Sequence, residues 1–173
     1  MIRTSIIFAA ALLSTACMTG DDRSAAPTAS ASTSLVSGDG TSRGRASLSE
    51  TATGITVRAD VRGLPAGAHG IHVHAVGRCD APDFASAGPH WNPTARQHGR
   101  ENPQGAHHGD LPNIEVGADG SGTLSYTLTD ARFAQLFDAD GAALVVHAGA
   151  DDGRTDPSGN SGGRIACGVI ERR

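Results

Sequence analysis

The chain has 173 residues and a formal net charge of −4, which excludes nucleic-acid binding through a broad basic surface. Its 23 glycines and 8 prolines, with aromatic residues at 3%, argue against long amphipathic helices and for one domain of short strands and tight turns. All 14 basic residues are arginine, so any cation that guides a charged ligand is a guanidinium.

The first element is a targeting segment. Arg3 precedes the apolar run Ile6–Leu13, whose 8 residues are too few to cross a bilayer; crossing takes about 20. Ser14-Thr15-Ala16 before Cys17 resembles a bacterial lipoprotein signal. It predicts a signal peptide over 1–16, a lipidated Cys17 and a periplasmic product anchored to the membrane. The large apolar residue lies one place too far back, at Leu13, and Ser-x-Ala also suits the ordinary signal peptidase. A soluble exported form is therefore the alternative. Residues 18–33 are small and polar, cannot bury enough surface to fold, and predict a flexible tether ahead of a domain over 34–173. With Cys17 set aside, Cys79 and Cys167 remain, and in an exported protein two such cysteines predict a disulfide. A loop of that length stabilises the fold by about 4 to 5 kcal/mol in the chain-entropy model.

Strands follow in order. Short ones are expected near Leu35-Val36 and Arg45–Glu50. Gly54–Val61 then alternates, with Ile55, Val57, Ala59 and Val61 on one face. The turn Gly63–Gly67 leads into the strand that carries His72 and His74. Ile114–Val116 and Thr123–Leu128 flank Asp119-Gly120, a hairpin signal. Ala142–His147 and Ile165–Ile170 bring the count to about eight, which argues for an antiparallel sandwich or flattened barrel. Two long polar stretches, 77–112 and 148–163, interrupt the strands, and loops of that length in a compact domain are usually functional.

The histidines lie where those loops meet the strands. Eight occur in the chain, and five of them fall at His72, His74, His90, His98 and His107. Side chains alternate along a strand, so His72 and His74 share one face about 7 Å apart. Two imidazoles on a rigid face make half of a transition-metal site, and His90, His98, His107, Asp110 and His147 are at hand to complete one site or two.

Taken in order, the motifs resemble the copper/zinc superoxide dismutase family. They are Gly70-Ile71-His72-Val73-His74, Gly88-Pro89-His90-Trp91-Asn92-Pro93, His98-Gly99, His107-His108-Gly109-Asp110, Leu144-Val145-Val146-His147 and Gly163-Arg164-Ile165-Ala166-Cys167-Gly168-Val169-Ile170. The resemblance implies an all-β, eight-stranded antiparallel Greek-key barrel with two long functional loops. It implies copper on His72, His74, His90 and His147, and zinc on His90, His98, His107 and Asp110, with His90 bridging the two. Three nitrogens and a carboxylate suit redox-silent Zn²⁺, and four imidazoles suit a cycling copper.

Asp151 matches the family's aspartate that orients a histidine of each set, with Asp152 the weaker candidate. Arg164 matches the arginine that binds the superoxide anion beside the metal, with His90 as the proton carrier. Arg154 is the weaker candidate for steering, and His69 and His108 are not expected as ligands. His69 is expected to make a structural hydrogen bond and His108 to face solvent. The implied activity is ping-pong dismutation of superoxide to oxygen and hydrogen peroxide. The resemblance admits a homodimer, involves no nucleic acid, and reaches the membrane only through a lipid on Cys17. The alternative is a copper-binding or delivery domain without turnover, which would be expected to have lost a copper ligand or the arginine.

Overall fold

The computed structural model describes residues 29–173, so the signal peptide and Cys17 lie outside the described residues. Ten strands form one sheet: β1 Ala29–Val36, β2 Ser42–Glu50, β3 Gly54–Val61, β4 Gly67–His69, β5 Ile71–His74, β6 Ile114–Val116, β7 Gly122–Thr129, β8 Ala143–His147, β9 Arg164–Val169 and β10 Glu171–Arg172. The eight expected strands are all present. The two additional ones are β4, set off from β5 at Gly70, and the two-residue β10 that pairs with β1.

β1 starts at Ala29, inside the stretch expected to be a tether. Its sequence reads as polar because the inward positions are small: Ala31 and Thr33 are buried with Leu35, and the outward ones are serines. Small inward residues suffice where β1 pairs along its whole length with β2, from Ala29 opposite Glu50 to Val36 opposite Ser42.

The antiparallel order is β4-β6-β7-β3-β2-β1-β9-β8-β5. Because β4 and β5 are joined through Gly70, this path curls into a nearly closed barrel. Inward residues of β3 lie opposite apolar partners, with Val57 across from Leu48 on β2 and Tyr126 on β7. The core they build also takes in Phe133 and Leu136 of the short helix α1, Phe133–Leu136. At Gly70 a Cβ would fall 2.8 Å from Ser161 Cβ, so only glycine allows the chain to break strand there beneath the second long loop.

The free edge of β5 is covered by the first long loop. Trp91 N donates to Val73 O at 2.8 Å, Val73 N donates to Gly109 O at 3.0 Å, and Gly109 N donates to Trp91 O at 2.8 Å. His72 thereby sits opposite Asp110, and His74 opposite His90. The residues that close the barrel are thus interleaved with the histidines.

Candidate metal centre

Alternation on β5 puts His72 and His74 on one face, and β8 delivers His147 from the neighbouring strand. Their ring centroids are 6.4 Å apart for His72–His74, 4.8 Å for His72–His147 and 5.7 Å for His74–His147. His90, from the covering loop, lies 4.0 Å from the His72 ring and 4.9 Å from that of His74. One ligating atom from each of these four buried residues lies within 4.8 Å of every other.

The hydrogen bonds of the rings decide which nitrogen is left over. His72 Nε2 is 2.6 Å from Asp151 Oδ2, which leaves Nδ1. His74 Nδ1 donates to Gly88 O at 2.8 Å and His147 Nδ1 to Gly162 O at 3.1 Å, which leaves both Nε2 atoms. Among the described residues, six buried side-chain polar atoms lack a partner, and four of them are His72 Nδ1, His74 Nε2, His90 Nε2 and His147 Nε2. Burying an unsatisfied polar group costs about 1–3 kcal/mol, so four converging orphans in one place need a shared partner. A transition-metal ion supplies one.

A second group consists of His90, His98, His107 and Asp110, again with atoms within 4.8 Å. Asp110 Oδ1 is 2.9 Å from His90 Nδ1, 3.0 Å from His98 Nδ1 and 3.4 Å from His107 Nδ1. The other oxygen is occupied by the loop backbone, accepting from Gly99 N at 2.9 Å and His107 N at 3.0 Å. Three imidazole nitrogens around one anchored carboxylate oxygen are the donor set of a tetrahedral zinc site. His90 belongs to both groups, through Nδ1 in one and Nε2 in the other.

Asp151 lies between the groups, with Oδ2 on His72 and Oδ1 3.1 Å from His98 Nε2. Its backbone is fixed in turn by the Asn113 side chain, which donates to Asp151 O at 2.9 Å and accepts from Asp151 N at 2.8 Å. Asp152 instead folds back on its own loop, accepting from Arg154 N, Thr155 N and the Asn160 amide.

Electrostatics separate the two groups in the metal-free protein. Burial pushes His72 down to about 3, His74 to about 2 and His147 to about 4, so all three are neutral and able to ligate at neutral pH. Burial acts against the charge of His98 too, but its hydrogen bonds to Asp110 and Asp151 outweigh it and hold the ring up to about 9. Asp110 stays ionised well below the usual carboxylate range. Burial opposes its charge, but the bonds from His107, His90 and His98 prevail.

Arg164 opens β9 beside the first group and lines a cleft of about 630 Å³ together with His74, His90 and His147. Its Nη1 donates to Phe84 O at 2.6 Å and its Nη2 to Gly88 O at 2.7 Å. The same stretch of loop is tied to β9 by the Cys79–Cys167 disulfide, with Cα atoms 5.7 Å apart, and by a small core of Phe84, Ala87, Ala143 and Val145.

Two expectations are corrected. Arg154, the weaker steering candidate, is paired with Glu101 through Nε at 3.0 Å and Nη2 at 2.8 Å, which neutralises it. Besides Arg164 the cleft is lined by Arg96, which forms no ion pair among the described residues and whose backbone is clamped by the Asn92 side chain at both N and O. His108 does not face solvent: it is half-buried with its ring 5.4 Å from Trp91. The structural role expected of His69 is present: its Nδ1 is 2.8 Å from His147 O and its Nε2 2.9 Å from Pro65 O, which supports the strand end that presents His147.

Sequence reasoning missed Asn113, Asp156 and the carbonyls of Phe84 and Gly88. Asp156 Oδ1 accepts from His98 N at 2.6 Å and so joins the two long loops. Backbone carbonyls carry no side-chain signal, and Asp156 is one of several loop aspartates with nothing to set it apart.

Comparison with known proteins converges on one family. The family model for copper/zinc superoxide dismutase matches residues 42–170. A copper-zinc superoxide dismutase of Aquifex aeolicus is 41% identical over 143 residues, spanning 79% of this chain and 85% of its own. Another, of Caulobacter vibrioides, is 41% identical over 149 residues, spanning 82% and 86%. Among solved structures, a SOD-like protein from Bacillus subtilis superposes with a TM-score of 0.75 at 38% identity, covering 80% of this chain and 96% of its own. The Cu/Zn superoxide dismutase from Brucella abortus gives a TM-score of 0.68 at 29% identity, covering 82% and 99%.

Proposed function

The chain belongs to the copper/zinc superoxide dismutase family and is an oxidoreductase that dismutes superoxide with copper and zinc, and from this premise we propose which residues carry the reaction. His72, His74, His90 and His147 hold copper, and His90, His98, His107 and Asp110 hold zinc. The observation that carries this assignment is the convergence of four buried, partnerless imidazole nitrogens on one point. When bound, copper supplies one-electron oxidation and reduction of the substrate, and zinc supplies fixed positive charge.

The chain's own residues do the rest. Of Arg164's five N–H donors, one on each Nη is tied to the carbonyls of Phe84 and Gly88, which fixes the plane of the guanidinium at the cleft. The remaining donors meet an incoming anion. Gly88 O accepts from Arg164 and from His74, so one carbonyl sets both the anion-binding group and a metal-binding ring. His90 Nε2 is the buried atom at which a proton is held and passed to the departing peroxide. Asp151 fixes the tautomers of His72 and His98, and so acts on both metal groups as a positioning residue.

The Cys79–Cys167 disulfide supports export to an oxidising compartment. We read residues 1–16 as a signal peptide and Cys17 as a lipid anchor in the periplasm, with a tether that ends at β1. Mass spectrometry of the mature protein checks this, and an unmodified Cys17 would refute the anchor. Sedimentation of the mature domain checks for a homodimer.

The test of the assignment is a cyanide-sensitive superoxide-consumption assay on metal-loaded protein, alongside His147→Ala and Arg164→Ala. Loss of activity in His147→Ala with partial retention in Arg164→Ala is expected. Full copper and zinc occupancy without dismutation would overturn the reading.

A further inference from the structure

On the far side of the zinc-type group, between its loop and β7, lies a cleft of about 360 Å³ that the mechanism does not use. That volume is within the range of small-ligand pockets, which begins at about 300 Å³. Arg96, Arg100, His108, Tyr126, Thr94 and Asp130 are among the residues that line it.

Its charge is distinctive. Among the described residues neither Arg96 nor Arg100 forms an ion pair, whereas the neighbouring Arg154 is taken up by Glu101. The Arg100 guanidinium carbon lies over the Tyr126 ring, 4.9 Å from its centroid, a cation–π contact that holds the side chain at the cleft wall. Of the carboxylates lining the cleft, Asp110 is committed to the histidines and to the backbone of Gly99 and His107. Asp130 is thus the one carboxylate of the lining not turned to the histidines, and it faces two guanidiniums. Hydroxyls of Thr94, Tyr126 and Thr129 add neutral donors.

We propose that this cleft is a second anion site, separate from Arg164, that binds a small oxyanion of the phosphate or carboxylate class between Arg96 and Arg100. A planar guanidinium grips such groups through two N–H bonds. Arg96 also lines the catalytic cleft, so an anion held here lowers the positive potential at its mouth.

The chain has one tryptophan, Trp91, and its ring packs against His108 at the cleft, which gives an optical readout besides activity. The experiment titrates copper- and zinc-loaded protein with inorganic phosphate, with acetate, and with sodium chloride at matched ionic strength, following Trp91 fluorescence. A saturable change with phosphate, acetate or both, and none with chloride, is expected, and the two arms identify the preferred oxyanion. Binding should weaken at least tenfold in Arg100→Ala and in Arg96→Gln, and persist in Arg164→Ala. Arg100→Gln, checked for retained metal content, repeats the measurement if Arg100→Ala does not fold. No saturable change, retention in the Arg100 variants, or loss in Arg164→Ala would overturn the proposal, the last by placing the anion in the catalytic cleft.

Discussion

The two metal groups share His90 but are built in opposite ways. The copper-type group stands mostly on strands, with His72 and His74 on β5 and His147 on β8, and its rings are aimed by Asp151 and by the carbonyls of Gly88 and Gly162. The zinc-type group stands on a loop and is organised by one of its own members, Asp110, whose two oxygens reach three histidines and two backbone amides. Rigid strands let the first group exist before any metal arrives. In the second, the loop is pinned to β5 near His90 and Asp110, but His98 and His107 stand away from any strand and are gathered by the Asp110 charge.

The predictions probe that difference. The largest effect is expected from His147→Ala, which removes a strand-borne ring of the copper-type group and should lower dismutation by at least about 100-fold, while zinc content is kept. Loss of zinc along with copper would show that the groups are not independent. Next is Cys79→Ser, which frees the loop under Arg164 from β9. It should cost about 2–5 kcal/mol in urea unfolding and lower activity with copper still bound.

Asp151→Ala removes the side chain that joins His72 of one group to His98 of the other, and should weaken zinc binding by about 10- to 100-fold in a competitive chelator titration. An effect on copper alone would reverse the comparison.

A smaller effect is expected in proton release. At pH 7 His98, held up at about 9, is protonated in the metal-free protein, so zinc binding should release close to one proton, whereas filling the His72, His74 and His147 side should release almost none. Calorimetry in buffers of different ionisation enthalpy measures this. The same shifts set the stability of the metal-free fold. The unfolded chain takes up protons at His72, His74 and His147 below about pH 6.5, and the folded one does so only near 3, 2 and 4. Stability therefore falls as pH drops below about 6.5, by about 1.4 kcal/mol per group per pH unit until the folded values are reached. His98 has the opposite sign: its contribution is complete below about 6.5 and is lost as pH rises through about 9.

The smallest effect is in steering. Arg96→Gln should slow the reaction about twofold at low salt and less at high salt, and Arg154→Gln should not, because Glu101 already neutralises Arg154.

The residues that the structure gathers into the two groups were legible in the sequence, because coordination chemistry demands particular side chains and a strand fixes which of them share a face. The alternation of β3 and the Asp119-Gly120 turn were legible for the same reason: local geometry dictates residue type. The start of β1 was not, since Ala31 and Thr33 are buried by partners on β2 rather than by apolarity of their own. Nor was the fate of Arg154, which depends on Glu101, 53 residues away. Asn113 and Gly88 act through backbone contacts that leave no pattern to read.

The interleaving of histidines with the covering of β5 has one more consequence. A bare strand edge is a template on which another chain can add. Here the stitches that hem that edge, at Val73, Trp91 and Gly109, lie next to His72, His74, His90 and Asp110. A change that loosens the loop at Trp91 or Gly109 would therefore do two things at once: bare the edge of β5 and displace the neighbouring His90 and Asp110.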